Sequence, residues 1–157
     1  MEQNNIENNI FKRSGMFRLI IVLMAISNVI YVAIEIYKSK ISKPLLGKPE
    51  ITKLEYSELV NLSNYSSTFE VIFIILAIVS AALVFTGKYK PLLKSYIVIQ
   101  LTFLISIYSV NLILAWILDA PSGNMTQLLI GPFIFTFVIL IYFVIKNSYQ
   151  ILIAKRM

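Results

Sequence analysis

The chain has 157 residues, of which 58% are hydrophobic and 14% charged, with a formal net charge of +6 and neither Cys nor His. An ordinary soluble domain carries about 25% charged residues, and a soluble fold of this size has too little interior to hide so much apolar surface. Without thiol or imidazole there is no structural disulfide, thiolate metal site, b-type haem or usual zinc or copper centre, and no cofactor is expected. The fourteen Lys and Arg residues lie between apolar stretches rather than in one basic patch, so nucleic acid is not the expected partner.

Four stretches contain no Asp, Glu, Lys or Arg: 19–34, 71–87, 95–118 and 120–145. At 1.5 Å of rise per residue each reaches roughly the ~30 Å of bilayer hydrocarbon once flanking side chains extend to the headgroups. They predict an all-α, single-domain membrane bundle of four transmembrane helices, at about 16–37, 69–87, 91–118 and 125–146. An outer loop at 38–68 and a cytoplasmic tail at 147–157 complete it.

The Asn-rich segment Met1 to Phe11 reads as a short mobile tail. Lys12, Arg13 and Arg18 precede an apolar run that reaches about Tyr37. That run is too long for a secretory h-region and has no small-x-small cleavage site, so the first helix is expected to be retained. It places Asn28 and Glu35 on one face with Tyr31 between them. Two readings of Glu35 stand open: an ion pair with Lys38 near the outer interface, or a cation or proton site facing Asn28 and Gln100.

In the polar segment, Pro44, Gly47 and Pro49 predict an irregular start, and Thr52 with Glu55 a capping box opening a short helix near 53–62. Its Leu54, Leu59, Val60 and Leu62 are expected to rest on the bundle or the interface. Ser67-Thr68-Phe69-Glu70 reads as a second capping box, where the second membrane helix begins. Ala77, Ser80 and Ala81 are the small residues that let a neighbouring helix approach.

Gly87-Lys88-Tyr89-Lys90-Pro91 predicts a tight hairpin, with Gly ending one helix and Pro suited to the first turn of the next. The third helix is the most polar. Ser95, Thr102, Ser106 and Ser109 fall within a ~60° arc, while Gln100 and Asn111 lie nearly opposite. Two polar faces predict a helix surrounded by other helices, its polar groups serving interhelical hydrogen bonds or, for Gln100 and Asn111, lining a polar path. Asp119 to Asn124 reads as a turn, and the tail from Asn147 as an interfacial helix. Tyr37, Tyr89, Tyr96 and Trp116 near helix ends are the expected interfacial aromatic belt.

Nine basic residues (Lys12, Arg13, Arg18, Lys88, Lys90, Lys94, Lys146, Lys155, Arg156) fall on one side and five, all in the long loop, on the other. The positive-inside rule then puts both termini in the cytoplasm. Asn61, Asn64 and Asn124 open Asn-x-Ser/Thr triplets, glycan acceptors in a eukaryotic secretory protein. The strong Ile, Lys, Asn and Tyr usage points instead to a bacterial inner membrane.

The acid Glu70, the basic hairpin Gly87-Lys88-Tyr89-Lys90-Pro91-Leu92, and Tyr142-Phe143 followed by a basic tail carry a resemblance over about Phe69 to Arg156. This part of the chain resembles the small four-helix bacterial inner-membrane proteins of the YdgK-like type, a domain-of-unknown-function family. Such proteins carry Gly-Gly-Trp before the first helix, where this chain has Ser14-Gly15-Met16-Phe17. The resemblance implies topology and no catalytic or binding residues.

No His-containing or paired-carboxylate constellation at membrane depth points to catalysis. The expectation is a non-enzymatic membrane protein acting through protein contacts, as an accessory subunit or an immunity-type protein, with the bilayer and a protein partner or further copies of itself around it. The alternative is an oligomeric channel or transporter with a polar path through Asn28, Glu35, Gln100 and Asn111.

Overall fold

The computed structural model describes residues 15–85 and 93–154, and these are helical throughout apart from short turns. Five helices follow one another: α1 Gly15–Leu45, α2 Lys53–Phe85, α3 Leu93–Ile117, α4 Ser122–Gln127 and α5 Ile130–Ala154. There is no strand among the described residues. Lys12, Arg13, Lys88, Lys90, Lys155, Arg156, the Asn-rich segment and the 87–91 hairpin lie outside them.

α1, α2 and α3 are long and apolar enough to cross a membrane. α5 is apolar over the shorter stretch Ile130–Lys146. Apolar residues cover the outside of the bundle, Leu19, Val29, Ile75, Ile113 and Ile134 among them.

The apolar character explains the helices, but the buried positions explain their orientation. On α1 the buried side chains recur every three or four residues: Phe17, Ile20, Met24, Asn28, Tyr31, Glu35, Ser39. That spacing is one stripe of a 3.6-residue helix. α2 answers with Ser66, Phe73, Ala77, Ser80, Ala81 and Val84, so the small residues are buried as expected. α1 and α2 form the largest interhelical interface. Glu35 meets Ser66 and Tyr37 meets Glu58, which fixes the pair as antiparallel.

The predicted second helix start at Ser67 is not there. α2 runs unbroken from Lys53 to Phe85, so Ser67 and Glu70 lie inside a helix and not at its start. A capping box is a local pattern, and packing of Ser66 and Phe73 against α1 outweighs it. The Thr52–Glu55 box does form, reciprocally: the Glu55 amide donates to the Thr52 hydroxyl (3.3 Å), and the Thr52 amide to the Glu55 carboxylate (3.0 Å). Leu54 is 78% exposed, so it does not rest on the bundle.

α1 also outlasts its prediction, continuing to Leu45 through Pro44, which a final helical turn tolerates. At 31 and 33 residues, α1 and α2 are about 46 and 50 Å long. α2 reaches about 20 Å beyond Ser66 before the chain turns.

α3 ends in a Schellman-type turn, with Asp119 at φ 50° and the Ala120 amide donating to the Ala115 carbonyl (2.9 Å). Asp tolerates this left-handed conformation better than most residues. Its carboxylate meets the Lys43 ammonium of α1, so the far ends of α1 and α3 lie together. Only Leu118–Ala120 then form a turn; Ser122 to Gln127, expected as loop and helix start, form α4. α5 continues into the tail as far as Ala154.

Candidate functional site

The interior of a bundle this apolar is informative where it is polar, because an unpaired polar group there costs several times what a made hydrogen bond returns. The four candidate residues are all buried, at 0 to 7% exposure. They do not form one site.

Asn28 on α1 and Asn111 on α3 meet directly. Each Nδ2 donates to the other's Oδ1, at 3.3 and 3.0 Å, a closed two-bond ring between side chains 83 positions apart. Asn111 Nδ2 also donates to the Met125 carbonyl of α4 at 3.0 Å. One turn along α1, the Tyr31 hydroxyl donates to the Asn124 carbonyl at 2.7 Å.

These carbonyls exist as acceptors because the helix is broken. The Leu129 amide turns to Thr126 instead of Met125, and the next helix starts only at Ile130, so α4 and α5 are two segments rather than one. Two side chains from other helices satisfy what the break leaves open, as non-helical backbone inside an apolar bundle requires. Met125, Leu128 and Leu129 seal the junction and are almost completely buried.

Glu35 lies on the same stripe of α1, nearer the hairpin. Its Oε1 accepts from Ser66 of α2 at 2.6 Å and from Lys38 at 3.2 Å. The ion pair with Lys38 is the one expected from the sequence, but the Ser66 contact was not. Neither bond reaches Asn28 or Gln100.

Gln100 stands apart, toward the other end of the bundle. Its Nε2 faces the Met24 sulfur at 3.9 Å, and its Oε1 has no hydrogen-bond partner. Nearby on α3, Tyr96 is buried, with its hydroxyl 3.3 Å from that of Ser80 and its ring edge-on to Phe17. Tyr96 is therefore a core residue and not part of an interfacial belt. Tyr37 and Trp116 are exposed as a belt requires, and Tyr89 lies outside the described residues.

The second polar face of α3 faces outward. Thr102, Ser106 and Ser109 are exposed, so a single copy leaves this helix covered on one side, contrary to the expectation that other helices surround it. The reason is the packing order: α3 leans on α4 and α5, touches α2 less and meets α1 through Asn111, Gln100 and Tyr96, and among the described residues nothing lies across its remaining face.

At the hairpin one ion pair closes the turn. Lys48 bonds Glu55 at 2.5 Å. The Lys48 ammonium, then the Thr52 amide and hydroxyl, hold the Glu55 carboxyl down at about 2, from an ordinary 4.5. Leu46, Ile51, Leu54 and Tyr56 are exposed around this ion-paired cap. Among the described residues no group of three or more acidic side chains is placed to hold a metal ion.

Comparison of the chain with family models, curated proteins and solved structures yields no match in any of the three.

Proposed function

We propose that this chain is a four-span integral protein of a bacterial inner membrane that acts without catalysis, through contacts with another protein, as an accessory subunit or an immunity-type protein. In this reading α1, α2, α3 and the α4–α5 pair cross the bilayer, and both termini are cytoplasmic. The α1–α2 hairpin stands outside.

The observation that carries the reading is the hairpin itself. Its helices outrun the ~30 Å that a bilayer needs, Lys48 and Glu55 pair at its tip, and it presents Leu46, Leu54 and Tyr56 to solvent. An exposed aromatic and aliphatic cluster around a rigid capped turn is the composition of a contact surface, with Tyr a common anchor. The interior supports the same view. Asn28 and Asn111 bond one another, the arrangement of interhelical fasteners.

Affinity purification from native membranes tests this. The double variant Leu54→Ala/Tyr56→Ala, inserted and folded, loses a partner that the unaltered chain retains. Retention of every partner by that variant contradicts the reading. The channel alternative predicts ion flux in reconstituted vesicles that Asn111→Leu alters; the contact reading predicts none.

A further inference from the structure

The charges of the bundle are divided between its two ends. Phe17 packs edge-on to Tyr96 and Phe85 to Tyr142, so the first turn of α1, the start of α3, the last turn of α2 and the later part of α5 share one end. Arg18, Lys94 and Lys146 stand there, the first two exposed and the third half-buried. None of them meets a carboxylate among the described residues, whereas Lys38, Lys43 and Lys48 toward the hairpin each do. Of the described acids, Glu35 is seventeen residues beyond Arg18 on α1 and Glu70 fifteen before Phe85 on α2. Helical rise puts both more than about 20 Å away, beyond the reach of an unscreened charge. This end is positive and has no anion of its own.

Beside Lys94 lies a shallow groove of about 250 Å³, lined by Lys94, Ser95, Val98 and Ile99. Its two halves differ in chemistry. Lys94 and Ser95 bring an ammonium and a hydroxyl that have no partner among the described residues. Val98 and Ile99, one turn further along α3, are aliphatic, and Val98 is 57% exposed. In the bilayer placement proposed above, on which this inference rests, Lys94 stands at the headgroups and Val98 about 6 Å deeper, where hydrocarbon begins.

We propose that this groove holds an anionic phospholipid. Its phosphate sits at the Lys94 ammonium and the Ser95 hydroxyl, and the upper part of one acyl chain lies along Val98 and Ile99. Charge complementarity selects that occupant. A lysine binds phosphate as a point charge, and each basic side chain near an anionic leaflet favours it, so Arg18 and Lys146 add to the attraction without touching the lipid. A zwitterionic lipid brings a cation of its own to the same place and gains less. A free phosphate in water has no use for the aliphatic half of the groove.

Native mass spectrometry of the full chain in a neutral detergent counts bound lipids one at a time and tests this. Phosphatidylglycerol binds about fivefold more tightly than phosphatidylcholine, and Lys94→Gln removes that preference while phosphatidylcholine binding is unchanged. Lys53→Gln removes an exposed cation at the hairpin, also without an ion pair among the described residues, and leaves the preference intact. Lys94 and Lys53 are both exposed, so helical circular dichroism is the same in each variant. Glycerol phosphate and inorganic phosphate, anions without chains, do not compete. Competition by either assigns the groove to a free anion and overturns the lipid. Equal binding of the two lipids, or equal losses in Lys94→Gln and Lys53→Gln, overturns the site. Quenching of Trp116 by brominated lipid in vesicles reports insertion separately. Where quenching is present, those outcomes overturn the site alone; absence of quenching overturns the bilayer placement and the site with it.

Discussion

Asn28 and Asn111 bond one another through both amides, at 3.3 and 3.0 Å, and Asn111 alone reaches on to the Met125 carbonyl. The pair ties α1 to α3 and, through Asn111, fixes the start of the broken α4–α5 segment. The two residues are therefore unequal. Asn111→Leu strands two acceptors and is expected to destabilise the bundle by about 2 kcal/mol, against about 1 kcal/mol for Asn28→Leu. The double variant costs less than the sum, since neither leucine leaves a side-chain amide unpaired and only the Met125 carbonyl stays stranded. Unfolding by denaturing detergent from mild micelles measures all three.

Glu35 accepts Ser66 and Lys38 in a nearly closed environment, whereas Lys40 next along is exposed and makes no ion pair among the described residues. Lys38→Met leaves a buried carboxylate with the Ser66 hydroxyl as its remaining donor. It is expected to lose about 1–2 kcal/mol, discounted for the partial exposure of Lys38. Lys40→Met is expected to be neutral within about 0.5 kcal/mol. Equal effects of the two substitutions contradict the arrangement.

Glu55 lies at the capped start of α2, and the sign of its titration is definite. Its folded value of about 2 lies below the ordinary 4.5, so it stabilises the hairpin above about pH 4.5 and ceases to as pH falls toward 2. Hydrogen exchange at the amides of Lys53 to Ser57 should quicken, relative to neighbouring helix, over that window. Glu55→Gln should remove the dependence, and Lys48→Met should shift it upward.

Gln100 is a buried amide with an orphaned oxygen and a weak sulfur contact. Gln100→Leu, close in shape, removes both costs and is expected to stabilise the bundle by about 1 kcal/mol. A loss of stability in the same detergent assay shows instead that the amide makes a bond essential to the fold.

The sequence alone reveals the helical bundle and much of its inward face. Runs without charge mark the helix bodies, and 100° periodicity puts Asn28 with Glu35 and Gln100 with Asn111 on single faces, all of them buried. The Thr52–Glu55 cap is equally legible, because both partners lie within one turn. What escapes is tertiary. Ser66 reaches Glu35 from 31 positions away, and nothing in a lone serine signals it. Tyr31 and Asn111 bond backbone carbonyls, which carry no residue signature; the break at Leu128–Leu129 does have one in Gly131-Pro132, since Pro132 has no amide to donate to the Leu128 carbonyl, but the apolar run conceals it. Ser67 to Glu70 misleads for the converse reason: a sound local cap pattern is overruled by α2 packing along α1. The outward polar face of α3 is legible as polar, but its direction is set by which helices α3 leans on.

Bilayer placement of the helices is the central claim, and the single tryptophan tests it. Trp116 lies in the last turn of α3 and is 84% exposed. In vesicles of brominated phosphatidylcholine, its fluorescence should be quenched strongly by bromines near the glycerol backbone, less by bromines near the chain ends, and little by aqueous iodide. Efficient quenching by iodide with none by brominated lipid would place α3 in water and contradict the account.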